Sequence, residues 1–331
     1  MSPDRVRLGS LGLGWWGAEM AQAVQRSGQA EIVSCFARGA EGRNRFAERF
    51  GCRAAGSLDE FLTDPEIEGV LIATSHKSHR PLTEQAASAG KHVFLEKPLT
   101  TTVADGVACI DAARRAGVIL QVGHLRRRTA ANRRLKALLE AGDLGDVETV
   151  VAHQSIPNGF RMPAGAWRWS PEESPLGSMT SLGVHKIDTM HYLVGPIRRV
   201  SAFTRPGRDH PIDEATVVAV EFESGAVGTL TTSFFTPTIN EISVFATKGA
   251  AYNLAAGARL QLQAWDGSER NEVELDPIDP LVDELTEFAH AVRGETEVEV
   301  DGETALAVIA VLEAAQESAA TGRAVEVGEK G

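Results

Sequence analysis

The stretch Val6-Arg7-Leu8-Gly9-Ser10-Leu11-Gly12-Leu13-Gly14-Trp15-Trp16-Gly17-Ala18-Glu19-Met20-Ala21-Gln22-Ala23-Val24 decides the fold. Val6 to Leu11 reads as a short strand, and the residues after Gly17 are rich in helix formers. A glycine loop between a strand and a helix turns bare backbone N–H groups and the positive helix end toward a phosphate. Gly12 then serves the tight turn, Gly14 the approach of a pyrophosphate, and Gly17 the close packing of helix on strand. Leu13, Trp15 and Trp16 share that loop, so Gly12 to Gly17 form the first candidate cofactor-binding segment.

Working outward, the chain has 331 residues, room for two domains or one large one. Hydrophobic residues make up 43% and charged residues 24%, an ordinary globular balance. The net charge of -12 argues against nucleic acid as a partner, and Arg126-Arg127-Arg128 is too short to reverse that. Cys35, Cys52 and Cys109 show no paired spacing, so they read as reduced core thiols of a cytoplasmic protein. The N-terminal segment opens as a charged strand with Asp4, Arg5 and Arg7, without a signal-peptide core. No apolar run nears the roughly 20 residues of a membrane helix. The histidines, His79, His124, His185 and His191 among them, lack metal spacing, so no metal is expected.

Strand and helix alternate through the first third. Strands are expected at 31–36, 70–73, 92–95 and 118–122, with helices at 43–50, 58–62, 81–89 and 103–116. That alternation predicts a doubly wound parallel sheet with ligands at the C-terminal strand edge. Gly12 to Gly17, Ala37-Arg38, Thr74-Ser75-His76 with His79, Glu96-Lys97-Pro98, and Gly123-His124 all fall there. NAD-binding units carry an acidic residue roughly 20 residues past the glycines to grip the ribose 2′-hydroxyl. Here Ala37-Arg38 takes that place. A guanidinium binds a 2′-phosphate bidentately, which favours NADP(H) and leaves NAD(H) open. The plainer reading makes Arg38 a solvated turn residue.

Beyond residue 124 a second domain is expected over 125–331, after a first over 1–124. Residues 133–141 form an amphipathic helix. Residues 156–175 form a long loop holding Trp167, Arg168 and Trp169, which either lines a site or simply packs. Gly177 to Val194 reads as a helix. Strand-like runs without intervening helices follow, at 199–203, 216–223, 227–235, 242–246 and 260–264. These predict an open, mainly antiparallel sheet, hence an α+β domain. Such a face is commonly buried between subunits, so a homo-oligomer, dimer or tetramer, is expected. Helices at 281–292 and 304–319 close the chain.

The order of these motifs resembles the Gfo/Idh/MocA family, the glucose–fructose oxidoreductase and inositol dehydrogenase-like enzymes. The matching pieces are Gly12 to Gly17, Ala73-Thr74 with His79, and Gly90-Lys91-His92-Val93-Phe94-Leu95-Glu96-Lys97-Pro98-Leu99. Further on come Gly123-His124 with Arg127, Trp167-Arg168, Leu182-Gly183-Val184-His185-Lys186-Ile187-Asp188, and the tail Ala314 to Arg323. The resemblance implies a Rossmann domain and an open-sheet second domain, with the last helix, about 303–321, packed back on the first. It further implies NAD(P)-dependent chemistry on sugars, cyclitols or related polyols. Three departures stand out. Pro175-Leu176-Gly177 replaces three glycines, Ser181 replaces an aspartate, and Ser75-His76 replaces Pro-Asn.

Oxidising a secondary alcohol needs a group to hold the hydroxyl and a base to take its proton. Lys97, just past a strand end, reaches a hydroxyl there, with Pro98 restricting the backbone beside it. His185 is the candidate base, since an imidazole titrates near ~6.5. Ser181, His185 and Asp188 share one helix face at α-helical spacing. Asp188 then orients the imidazole, while Ser181 donates or accepts a hydrogen bond but is no base. His124, Arg127, Trp167 and Arg168 line the cleft in this reading. The expected activity is hydride transfer between a nicotinamide and a carbohydrate or polyol. Two alternatives remain: a redox-assisted lyase or glycosidase that keeps its cofactor, and a non-catalytic NADP(H)-binding regulator.

Overall fold

The computed structural model describes residues 5–328, so Asp4 of the expected charged strand lies outside the described residues. The chain begins with β1 (Val6–Leu11), α1 (Trp15–Ser27), β2 (Ala30–Phe36), α2 (Ala40–Phe50), β3 (Arg53–Ala54), α3 (Leu58–Thr63) and β4 (Gly69–Ile72). It continues with α4 (His79–Ser88), β5 (His92–Glu96), α5 (Val103–Ala116) and β6 (Leu120–Gly123). The six strands form one parallel sheet in the order β3-β2-β1-β4-β5-β6. This is the dinucleotide-binding order, and the strand order reverses between β1 and β4, where a crevice opens for a ligand.

Local signals set the boundaries. Ser57 caps α3 by accepting from the Glu60 N–H, and Thr102 caps α5 by accepting from Asp105, each cap contributing about 1 kcal/mol. Gly28, Gly51 and Gly117 end their helices in the left-handed conformation. The α1 face Met20, Ala21 and Val24 packs into a core with Leu8, Leu71 and Phe94.

Next come α6 (Ala130–Glu140), β7 (Val147–Ser155), α7 (Val184–Val194), β8 (Ile197–Arg205), β9 (Ala215–Phe222), β10 (Val227–Ser233) and β11 (Ile239–Ala246). After them run β12 (Gly249–Leu254), β13 (Arg259–Ala264), β14 (Asn271–Val273), α8 (Pro280–Val292), α9 (Gly302–Thr321) and β15 (Val325–Glu326). Strands β7 to β15 make a nine-stranded sheet in the order β14-β13-β12-β11-β7-β10-β9-β8-β15. It is mainly antiparallel, but β7 and β10 pair in parallel, Val151 opposite Thr229. The expected meander is therefore a mixed sheet. β12 escaped the sequence reading because Ala250, Ala251 and Asn253 have weak strand propensity, yet they are buried between β11 and β13.

The chain divides into two compact units. One holds residues 5–125 and Asp279–Leu306, the other residues 126–278 and 307–328, within the described range. Helix α8 thus belongs with the parallel sheet, whereas a second domain continuous from residue 125 was expected. Asp279 caps α8 by accepting from the Leu281 and Val282 N–H groups, with Pro280 at the first helical position. Phe288 then meets Phe94 edge-on with 5.6 Å between ring centroids, a contact of about 1 kcal/mol. In the other unit, Val308, Val311 and Leu312 of α9 join Ile187 and Met190 of α7 against the inner sheet face.

Candidate functional site

In the parallel-sheet unit, the glycine loop has the shape its sequence required. Gly12 sits at φ +89°, and a Cβ there would lie 2.2 Å from the Ala73 carbonyl oxygen. A Cβ on Gly14 would meet nothing within 4 Å, so its backbone is open to a ligand. Gly17 lies where α1 closes on the end of β1. A Cβ there would lie 2.0 Å from the Gly12 carbonyl oxygen, directly after β1, so any larger residue would push the helix off. Leu13 and Trp16 are half-buried and Trp15 is 75% exposed. The Trp15 and Trp16 rings meet at 5.4 Å.

The cradle fits a pyrophosphate. It has an open glycine face, α1 begins at Trp15, and the Gly14 carbonyl already accepts from the Ala18 N–H. At the end of β2, Ala37 is half-buried and Arg38 exposed, and the Arg38 side chain makes no hydrogen bond or ion pair among the described residues. Glu41, three residues further on, is met by Arg45 at 3.1 Å.

The segments after β4 and β5 are tied together. His79, fully buried, donates from Nδ1 to the Pro98 carbonyl at 2.8 Å; a carbonyl only accepts, so that nitrogen carries hydrogen. Its Nε2 lies 3.4 Å from the Thr74 carbonyl. Ser78 Oγ donates to the Ser75 carbonyl at 2.6 Å and accepts from the Thr74 hydroxyl at 2.7 Å. His76 is buried and meets His79 edge-on at 5.7 Å. The Lys97–Pro98 peptide is cis. Lys97 is half-buried and His124, after β6, fully buried.

Glu96 is buried beneath this edge, and burial pushes its carboxyl up to about 7, against the opposing pull of Lys97. The indole N–H of Trp16 faces it and favours the ionised form, though the pair falls short of hydrogen-bond geometry. A carboxyl raised from 4.5 to about 7 stays protonated in the fold while the unfolded chain has ionised. Stability therefore falls as pH rises through that window. Glu96→Gln removes the penalty: relative to wild type it should gain up to about 3 kcal/mol above pH ~7, and little below pH ~4.5, in thermal melts.

In the other unit, residues 156–175 form 3₁₀ turns at Pro157–Phe160 and Trp167–Trp169. The Arg168 guanidinium covers the half-buried Trp167 ring at 4.0 Å. Trp169 stacks on His210 at 4.4 Å, and His210 stacks on Phe235 at 5.1 Å, so Trp169 is a packing residue. The expected helix from Gly177 starts later. Leu176 and Gly177 take φ +57° and +56°, and a Cβ on Gly177 would lie 2.0 Å from the Asp213 carbonyl oxygen.

A π-helical turn, Met179–Gly183, then leads into α7. Its hydrogen bonds close i→i+5, so Ser181 and His185 do not keep the α-helical stagger assumed from spacing. Ser181 and His185 are both buried at 7% exposure. Asp188, fully buried, receives the Arg127 guanidinium two-pronged, at 3.1 Å from Nε and 2.5 Å from Nη2. Lys186, which the sequence reading quoted but gave no role, is buried too. Burial, then the charge of Arg126, pushes its amine down to about 7. Its signal was a lysine within a run of otherwise inward-facing residues. Among the described residues, no group of three or more His, Cys, Asp or Glu side chains is placed to hold a metal.

Comparison with known proteins decides the family. The description "Oxidoreductase family, NAD-binding Rossmann fold" matches residues 6–124, and "GFO/IDH/MocA C-terminal domain" matches residues 132–252. The chain belongs to the Gfo/Idh/MocA oxidoreductase family. It is an oxidoreductase with an NAD-binding Rossmann fold. It is 31% identical to D-xylose 1-dehydrogenase (NADP(+)) 2 of Haloferax volcanii, over 97% of this chain and 98% of that one. It is 27% identical to 1,5-anhydro-D-fructose reductase of Ensifer adhaerens, over 97% and 98%. A crystal structure of a putative NADPH-dependent oxidoreductase from Desulfitobacterium hafniense superposes with a TM-score of 0.94, at 28% identity and 98% coverage of both chains. No helix among the described residues is long and apolar enough to cross a membrane.

Proposed function

We propose that this Gfo/Idh/MocA oxidoreductase interconverts a secondary alcohol and a ketone, or an aldose and its lactone, on a small carbohydrate or polyol, with NADP(H) as the preferred cofactor. The observation that carries the reading is the order at the parallel-sheet edge: an open glycine cradle, an uncommitted Arg38 where NAD enzymes place an acid, and Lys97 directly after β5. The printed activities of the xylose dehydrogenase and the anhydrofructose reductase support the substrate class.

When bound, the nicotinamide supplies or accepts the hydride. Gly12 to Gly17 hold the pyrophosphate, Arg38 the 2′-phosphate, and Thr74, Ser75, His76 and Glu96 border the rest of the cofactor. Lys97 holds the reacting hydroxyl and stabilises the oxygen as it gains negative charge. His185 takes the hydroxyl proton, and Ser181, Trp167, Arg168, Arg127 and His124 shape the substrate's surroundings.

Substrate-dependent change in reduced-nicotinamide absorbance across a panel of aldoses, anhydro sugars and cyclitols tests this. Silence across the panel with both cofactors overturns it in favour of a binding protein. Arg38→Ala should weaken NADPH by about tenfold or more and leave NADH within a factor of about two, the loss of one charge-assisted phosphate contact. Equal losses for both cofactors would remove Arg38 from the selection.

We also propose a homo-oligomer built on the outer sheet face. There Ser201, Ala219, Thr229, Val151 and Ser243 align across five strands, and Phe203 stands opposite Val217 at 72% and 40% exposure. A row of small and apolar side chains without charge is poor solvent-facing surface. Light scattering that returns the monomer mass would refute it.

A further inference from the structure

The parallel-sheet unit contains a thiol pair that the proposed reaction does not use. Cys35 is buried in β2, one residue before Phe36-Ala37-Arg38. Cys52, half-buried, follows the left-handed Gly51 that ends α2. Cys35 stands opposite Ala54 in the β2–β3 register, and Cys52 is two residues before Ala54, in the turn that leads into β3. The two thiols are close enough for each to shift the other's titration. All three cysteines are free thiols, as expected, but Cys52 is half-buried rather than in the core.

Cys35 has one S–H hydrogen and two acceptors in reach. Its sulfur lies 3.7 Å from the Arg43 carbonyl, and the Cys52 sulfur is the other acceptor. Donation from Cys35 lowers the Cys52 thiol below its usual range, against the effect of burial. A thiolate-prone, accessible sulfur beside a second thiol is the arrangement found in oxidation-sensing pairs.

The surroundings connect the pair to the cofactor segment. The Arg43 side chain donates from Nη1 to the Ala37 carbonyl at 3.1 Å, and its guanidinium lies 5.7 Å from the Phe36 ring centroid. The Arg43 carbonyl is the group that meets Cys35. β3 is a two-residue strand at the sheet edge, so the Gly51–Arg53 turn can move at small cost.

We propose that Cys35 and Cys52 form a reversible disulfide when the protein meets a hydroperoxide, and that closing it weakens cofactor binding through Arg43 and the Phe36–Arg38 segment. The proposal rests on the dinucleotide-binding role of this unit. The Cys52 thiolate attacks the peroxide oxygen; the O–O bond breaks, the departing oxygen takes a proton, and Cys52 becomes a sulfenic acid. The Cys35 sulfur then attacks the Cys52 sulfur, the S–O bond breaks, and the leaving hydroxide departs as water with the Cys35 proton. Two thiols and one hydroperoxide give one disulfide, one alcohol or water, and one water. A disulfide holds its Cα atoms within about 7 Å, whereas diagonal neighbours in a sheet stand about 7–8 Å apart. Closure therefore draws in the turn at Cys52 and moves Cys35 away from the Arg43 carbonyl.

The test treats the whole protein with hydrogen peroxide, then maps peptides under non-reducing conditions and titrates NADPH and NADH by tryptophan quenching. The expected result is a Cys35–Cys52 linked peptide, lighter by two hydrogens and restored by dithiothreitol, with cofactor affinity lowered by about fivefold or more. Cys52→Ser should abolish both changes, and Cys109→Ser should preserve both. Cys52 ending as a sulfinic acid, oxidation centred on Cys109, or a linked peptide with unchanged affinity overturns the proposal. Untreated protein that binds neither cofactor would instead overturn the dinucleotide reading beneath it.

Discussion

Lys97→Ala should cut kcat by about a hundred- to a thousandfold, the range for losing one group that stabilises a developing oxyanion, while cofactor affinity changes by no more than about threefold. Lys97 stands directly after β5, and its neighbours fix the segment. Glu96 is buried on one side, and the Pro98 carbonyl is held by His79 at 2.8 Å on the other. An ammonium on a segment anchored this way has little freedom to give up when an alcohol binds, so its removal falls on the chemical step. Lys97→Arg separates charge from shape. A guanidinium keeps the positive charge but spreads it over a planar fork that suits a carboxylate better than an alkoxide. It should recover only part of the loss. Stopped-flow hydride transfer on a turned-over sugar measures both variants. A full rate in Lys97→Ala would take Lys97 out of the mechanism.

Much of the parallel-sheet unit was legible because each of its signals is local. A strand, three glycines and a helix former run dictate β1, the loop and α1, and left-handed glycines stop α1, α2 and α5 where the sequence places them. The Gly90-Lys91-His92 part of the most specific motif proves to be architecture. The buried Lys91 ammonium donates to the Asp64 and Ile67 carbonyls at 2.7 and 2.8 Å, and His92 Nδ1 accepts from the Ile119 N–H at 3.1 Å. A sequence motif alone does not separate such a clasp from the Lys97 that follows five residues beyond His92.

The features that stayed hidden depend on distant partners. The return of α8 to the first unit rests on Phe288 meeting Phe94, a contact no local pattern announces. Gly177 is left-handed because of the Asp213 carbonyl, and Leu176 shares that conformation where the family pattern has glycine. The π-helical turn at Ser181 likewise shifts a helix face that counting by 3.6 residues had aligned.

Asp188 shows most sharply how the site and the stability of the second unit are joined. The sequence reading assigned it to the imidazole of His185; in the structure both its carboxylate oxygens receive the Arg127 guanidinium, with the pair 7% and 0% exposed. Arg127 also lies 5.3 Å from the Tyr192 ring centroid, and Arg133 donates to the Tyr192 hydroxyl at 3.0 Å, so the pair is braced from a second side. Removing one member of such a pair leaves a charge where water does not reach. Asp188→Leu should therefore destabilise the fold by about 3–5 kcal/mol. Arg127→Met should cost a similar amount for the same reason, with opposite sign of the stranded charge. The double variant Arg127→Met with Asp188→Leu strands neither charge and fills the volume, and its loss should be smaller than the sum of the singles by about 2 kcal/mol or more. Urea melts of the four proteins give this coupling directly. Additive losses would mean that the two residues act through separate neighbours and that the ion pair is not what holds the front of α7 in place.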